Sequence, residues 1–392
     1  MKSPNADSNS SSMPIPILFG AECFDGGVLR HLVYLLSHLD PKRFQPHLIV
    51  SRFRSSPQAV TAIEQLKSKN VEIKRLAMYH ALHPVYDLGC LLEIIRYIKH
   101  NRIEIVHAHS TKAGLLFRLA GRLCGVKTVY TPHCYYFLAH KGLKRRLYIA
   151  IERLLGKLTC KTILAGNERN IALENRIIHA SAIAVIDNAI DPACFPIHPR
   201  REACRKQGLL ESDFIVGGVG RLCRQKNWTA LIRAAYRILR FCSSVTFVIA
   251  GEGEEKEKLQ TLIDQLGIGS KFRLFDRIDD ITSFYPCLNL FVSTSLWEGL
   301  PYAFLEAEHY RIPMMLPDIS FMSRRFPHAL YYSVSDQEGL FVSLLECITG
   351  NMPRVSDDSH VSDFELFIHR HQCVYEQISN RTHVSTENLI EL

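Results

Sequence analysis

The chain has 392 residues, 47% of them hydrophobic, and a formal charge of +8. That length exceeds one compact core and predicts two domains, while the lack of any apolar run near eighteen residues excludes a spanning helix. The basic excess is modest and dispersed, with no aromatic-interleaved patch, so it argues against nucleic acid and suits an anionic ligand or membrane surface.

The polar opening, residues 1–13, has no signal-peptide core and is expected to be a disordered leader. "IPILFG" (15–20) is a short apolar strand, "DGG" (25–27) a turn, and "VLRHLVYLLSHL" (28–39) repeats apolar residues at helical spacing. Strand and helix patterns then alternate: "PHLIVS", "AVTAIEQLKSKN", "VEIKRL", "GCLLEIIRYIKHN", "IEIVHAHS", "KAGLLFRLAGRLCG", "KTVYTPH", "LKRRLYIAIERLLGKL", "KTILAG" and "AIAVIDNA". The alternation breaks across 190–213, rich in proline and basic residues, which is expected to be the interdomain linker. It restarts with "FIVGGVGRL", "WTALIRAAYRIL", "VTFVIAGEG", "EKEKLQTLIDQLG", "KFRLFD", "ITSFYPCL" (a helix), "LNLFVST", "PYAFLEAEHYR" and "PMMLPD". "DFELFIHRHQCVYEQI" (363–378) reads as a closing helix after a Ser/Asp-rich loop. The fold class is therefore α/β, two Rossmann-like parallel-sheet domains facing a central cleft. The divisions are 1–13, 14–195, 196–350 and 351–392. The 12 cysteines are scattered without a CxxC pair, which reads as free thiols in a reducing cytosol.

Ligands on such sheets sit beyond the carboxyl ends of the strands, which makes the residues just after strands the candidates. In "SLWEGLPYAFLEA" (295–307), Pro301 suits the first helical position, leaving Gly299 and Leu300 at a helix N-terminus that favours an anion. Glu298 and Glu306 flank that turn and can accept hydrogen bonds from hydroxyls. The structural reading of the same segment is a helix start with acids near its positive end. In "GGVGRLCRQKN" (217–227), Arg221 and Lys226 follow a strand beside glycines and suit a diphosphate, with Arg224 turned to water. Gly26 and Gly27 form a backbone-lined turn opening the first helix. His133, after Pro132, is expected to project into the cleft. Of His107 and His109, one is expected on each side of the sheet.

Together "GRLCRQKN", "AGEGEEKEKL" and "SLWEGLPYAFLEA" resemble the retaining glycosyltransferases of family 4, with the two-domain GT-B fold. "VHAHSTKAGLLFRLAG" and "VYTPHCYYF" are similar to the bacterial branch that glycosylates lipid-diphosphate-linked precursors. The resemblance implies that Arg221 and Lys226 hold the diphosphate of a UDP-sugar. It implies Glu306 on the ribose and Glu298 on the donor sugar, with Gly299 and Leu300 beside them. His133 would lie near the reacting sugar, and Gly26–Gly27 would let acceptor and diphosphate approach the backbone. It implies no metal ion and no other cofactor, a lipid-linked saccharide acceptor, and attachment to the cytoplasmic face of the inner membrane. Basic and apolar residues of 140–157 would make that attachment, unless the apolar stripe packs on the sheet instead. The chain departs from the family pattern at Ala189, at Glu308 and Arg311, and in the glycine-free loop 317–332. Those departures leave a catalytically silent nucleotide-sugar-binding protein as the alternative, alongside a transferase using a soluble or lipopolysaccharide-core acceptor.

Overall fold

A computed structural model describes residues 13–53, 57–276, 278, 280–319, 321–353, 355 and 364–379. The expected leader, all but residue 13, and most of the Ser/Asp-rich loop lie outside them. The first unit alternates β1 (Ile15–Ala21), α1 (Gly26–His38), β2 (Phe44–Ser51), α2 (Pro57–Ser68), β3 (Glu72–Leu76), α3 (Pro84–His100), β4 (Ile105–His109), α4 (Thr111–Cys124), β5 (Lys127–Thr131), α5 (Gly142–Gly156), β6 (Lys161–Leu164), α6 (Glu168–Glu174) and β7 (Ile183–Val185). The second runs α7 (Arg200–Gln207), β8 (Phe214–Val219), α8 (Trp228–Leu239), β9 (Val245–Ala250), α9 (Lys256–Gln265), β10 (Phe272–Phe275), β11 (Leu290–Val292), α10 (Tyr302–His309), β12 (Met314–Pro317), α11 (Met322–Arg325), β13 (Leu330–Tyr332) and α12 (Gln337–Ile348). A last helix, α13 (Phe364–Ser379), follows.

The strands form two parallel sheets, ordered β3-β2-β1-β4-β5-β6-β7 and β10-β9-β8-β11-β12-β13. The central strands, such as β1, β4, β9 and β11, are buried on both faces and read as continuous apolar runs, which is why the alternation was visible in the sequence. In β1 this burial is tight: a Cβ on Gly20 would come within 2.4 Å of the Phe117 ring on α4. The order reverses between β1 and β4 in one sheet and between β8 and β11 in the other. A crevice opens at such switch points. Gly26, His109, Arg221 and Ser293 all lie at or just past the ends of these four strands.

Three expectations are corrected here. The linker region holds α7, which belongs to the second unit: Arg200 donates to Asn289 Oδ1 at 2.8 Å and Lys206 meets Asp280 at 2.5 Å. Proline and basic residues hid an eight-residue helix whose only buried side chains are Ala203 and Cys204. "ITSFYPCL" is not one helix but two 3-10 turns, Ile281–Ser283 and Tyr285–Cys287, because Pro286 interrupts the α-helical ladder. The closing helix is no separate tail. α13 buries Phe367, His371 and Tyr375 and docks on the first unit, where Arg43 Nε donates to Glu376 at 2.7 Å and the Asp40 N–H donates to Gln372 at 3.1 Å.

Candidate active site

A cleft of about 1710 Å³ lies between the units, lined by Gly26, Gly27 and His133 on one side and Arg221, Lys226 and Glu298 on the other. Two loops build the second wall. Residues 220–227 follow β8 and are laced to 293–298 after β11: the Leu296 N–H donates to the Gln225 carbonyl (2.8 Å), Gln225 Nε2 to the Trp297 carbonyl (2.9 Å), and Thr294 Oγ1 to the Lys226 carbonyl (2.7 Å). This lacing brings Lys226 Nζ to 2.6 Å from Glu298 Oε1. The expected diphosphate cation and the expected sugar acid thus neutralise each other, both largely buried. Arg221 is exposed at the mouth, 3.5 Å from Gln225 Oε1. Arg224 is exposed as expected, yet it borders the same cleft.

α10 begins at Tyr302, with Pro301 as its extended cap, one residue later than expected. Gly299 and Leu300 precede it and line the cleft. The Leu300 carbonyl accepts from Asn188 Nδ2 at 2.7 Å. Opposite stands the start of α1, where Gly26 has φ +53 and Asp25 caps its N–H at 2.9 Å. That left-handed conformation is cheap only for glycine. A Cβ on Gly27 would lie 3.5 Å from the Tyr302 ring, so the two helix starts nearly touch.

Glu306 is placed differently from its expectation. It is fully buried, accepts from the Tyr285 hydroxyl at 2.6 Å, and is paired with Arg30 of α1, which itself lines the cleft. The carboxylate therefore lies behind an arginine of the opposite unit. Nothing in the sequence pairs residues so far apart, so Arg30 was missed.

His133 reaches the cleft on a turn in which both His133 (φ +50) and Cys134 (φ +82) are left-handed. Such non-glycine conformations cost of order 1–3 kcal/mol each and need outside support. Glu168 supplies it, accepting from the Cys134 N–H at 2.5 Å and the Ala165 N–H at 3.1 Å. Burial raises the Glu168 carboxyl to about 7, against the pull of those two N–H groups. Burial and the nearby His371 lower His133 to about 3, so its imidazole is neutral at ordinary pH. His107 and His109 are on one face, ring centroids 4.1 Å apart. The expectation that they part is corrected by the strand's period of two, which puts i and i+2 together. Both are fully buried, and with His31 and His371 they surround the root of His133.

The departures at 308 and 317–332 prove connected. Arg325 of α11 donates to both Glu308 oxygens, at 2.8 and 2.7 Å, and Phe321 takes φ +95 where a glycine would be unstrained. Ala189 is simply core, 1% exposed. In α5, Leu143 (82%), Leu147 (58%) and Leu154 (63%) are exposed, whereas Tyr148, Ile151 and Leu155 face the cleft. The expected single stripe is split in two.

Comparison with known proteins agrees with this architecture. Residues 25–193 match the family described as Glycosyltransferase Family 4, and 199–328 match Glycosyl transferases group 1. The chain is 30% identical over 244 residues to the UDP-Gal:alpha-D-GlcNAc-diphosphoundecaprenol alpha-1,3-galactosyltransferase of Escherichia coli, covering 60% of this chain and 63% of that one. It is 29% identical over 255 residues to the putative glycosyltransferase EpsD of Bacillus subtilis (strain 168), covering 62% and 63%. The matched part thus spans less than two thirds of either relative. HepE of Anabaena, in complex with UDP and glucose, has the same fold: TM-score 0.71 at 16% identity, over 93% of this chain and 95% of that one. With a Glycosyltransferase Family 4 domain on the first sheet unit, a Glycosyl transferases group 1 domain on the second and a cleft between the two switch points, the chain is built from two glycosyltransferase domains and has the GT-B fold.

Proposed function

We propose that this protein is a retaining, metal-independent glycosyltransferase that moves a sugar, an N-acetylhexosamine, from a UDP-sugar to a lipid-diphosphate-linked saccharide at the cytoplasmic membrane face. The observation that carries the reading is the Lys226–Glu298 pair, held in the cleft at the second switch point and facing Gly26–Gly27 and His133. A diphosphate entering there would draw Lys226 from Glu298 and free the carboxylate for donor-sugar hydroxyls. Arg221 would complete the charge, and the starts of α1 and α10 would add oriented N–H groups. These preorganised positive groups would stabilise the leaving diphosphate without a metal ion.

For a retaining transfer the acceptor hydroxyl attacks from the face that the diphosphate leaves. Its proton passes to the departing phosphate oxygen, so no protein base is required. His133 suits that arrangement: an imidazole held near 3 is a poor base but a good hydrogen-bonding partner for the reacting sugar. Glu306 would meet the ribose once Arg30 yields or shares its carboxylate.

The lipid-linked acceptor and the N-acetylhexosamine rest on the sequence resemblance. The relative in E. coli, named for a diphosphoundecaprenol substrate, supports that acceptor. The altered loop 317–332 favours a second reading, a binding protein without turnover. Calorimetry with UDP, paired with a UDP-release assay on UDP-sugars, separates them. Binding together with slow release supports transfer; tight UDP binding with no release on any donor or acceptor supports the silent binder; no UDP binding removes both.

A further inference from the structure

Around the root of His133, one ring nitrogen each of His31, His109 and His371 is buried without a hydrogen-bond partner. Asn188 donates its Nδ2 to the Leu300 carbonyl, which fixes the amide, so its Oδ1 faces His31 Nδ1 at 3.3 Å. With its proton on Nδ1, where that amide oxygen and the Tyr302 hydroxyl, 3.2 Å away, can both accept, His31 keeps a lone pair on Nε2. That Nε2 is buried and has no partner. His371 is fixed in the same way, Nδ1 donating to the Phe367 carbonyl at 2.8 Å, and its buried Nε2 also has none. His109 Nδ1 and His133 Nε2 share one proton across 2.9 Å, and His109 Nε2 is buried and unpartnered as well. Each buried nitrogen left without a partner carries an uncompensated desolvation cost.

One ring nitrogen from each of His31, His109 and His133 lies within 4.8 Å of the other two. At a metal–nitrogen distance of about 2.1 Å, tetrahedral ligands sit about 3.4 Å apart, so closure asks the rings to move by about an ångström. Neutral imidazoles are the right form for binding, and burial holds all three below their ordinary range. Donation of His31 Nδ1–H to an amide oxygen is the usual outer support of a metal-ligating histidine. We propose that His31, His109 and His133 bind one late first-row transition-metal dication, of the Zn²⁺ class that prefers imidazole, with the fourth position left to water or His371. The binding claim stands on this geometry alone. Its consequence, that the bound ion draws His133 from the reacting sugar and inhibits, rests on the function proposed above.

The probe is Co²⁺ added to the chelator-treated full chain. A tetrahedral imidazole site gives visible d–d absorption without a thiolate-to-cobalt band, which sets it apart from the cysteines. The expected result is saturation at one equivalent, lost in His31→Gln and His109→Gln with circular dichroism unchanged. Equal spectra in the wild type and both variants, or no band in the wild type, would overturn the site and leave a buried water as the missing donor. If the variants do not fold, histidine-selective ¹⁵N spectra of the wild type decide: Zn²⁺ must shift three imidazoles together, and unshifted buried imidazoles refute the proposal. Inhibition by Zn²⁺ is read separately, so a protein that binds the ion but transfers no sugar tells against the function and not the site.

Discussion

Lys226 and Glu306 test the donor assignment at the scale of single side chains. Lys226→Ala removes the cation from a largely buried pair, and Glu306→Ala removes a carboxylate held by Arg30 and Tyr285. Loss of a charge-assisted contact to the leaving diphosphate or to the ribose should each cost about 3 kcal/mol, about a hundredfold in turnover. Initial rates with a saturating donor check this, and near-normal rates in both variants would remove the assignment. Much of the site was legible in the sequence because cations and acids after strands need no knowledge of partners. The contacts that tune them were not. Arg30 over Glu306, Asn188 on His31 and Glu168 under Cys134 all join segments distant in the chain. Glu168 sat in "AGNERN", just past the predicted strand "KTILAG", and Asn188 at the end of the predicted strand "AIAVIDNA", and those positions were the available signal.

Among the elements, α5 carries the sharpest prediction. Leu143, Leu147 and Leu154 stand in solvent beside Lys144, Arg145 and Arg146, while the inner residues Tyr148, Ile151 and Leu155 line the cleft. Such a helix suits an anionic interface, each basic residue contributing about 1 kcal/mol. Wild type should co-sediment with anionic liposomes at low salt and release at high salt, and a triple Glu variant at 144–146 should stay in solution. Equal sedimentation of the two proteins would leave α5 without this role. No helix among the described residues is long and apolar enough to cross a membrane. Strands and long helices were readable from periodicity. α7 and the docking of α13 were not, because one lacks an apolar stripe and the other's partner surface lies on β1, β4 and α1.

For the whole molecule, four fully buried histidines, 31, 107, 109 and 371, have lowered pKa values from burial above all. The unfolded chain takes up their protons near 6.5 while the folded one does not, so stability must fall as pH drops below 6.5. The loss reaches about 1.4 kcal/mol per pH unit for each. Glu168, raised to about 7, works oppositely between 7 and 4.5 but is one group against four. The urea midpoint should therefore be clearly lower at pH 5 than at pH 7; an unchanged midpoint would mean those imidazoles are not buried neutral. Activity should survive EDTA if Arg221, Lys226 and the two helix starts that line the cleft hold the diphosphate as proposed, and complete, metal-reversible loss would contradict that. The central claim is sugar transfer onto a lipid-linked acceptor. It is tested most directly by incubating the pure protein with radiolabelled UDP-sugars and a bacterial membrane lipid extract, then counting the organic phase. The account predicts label from one UDP-sugar in a mild-acid-labile lipid, with the α configuration of an α-linked donor retained; UDP bound but no label in lipid from any donor would contradict it.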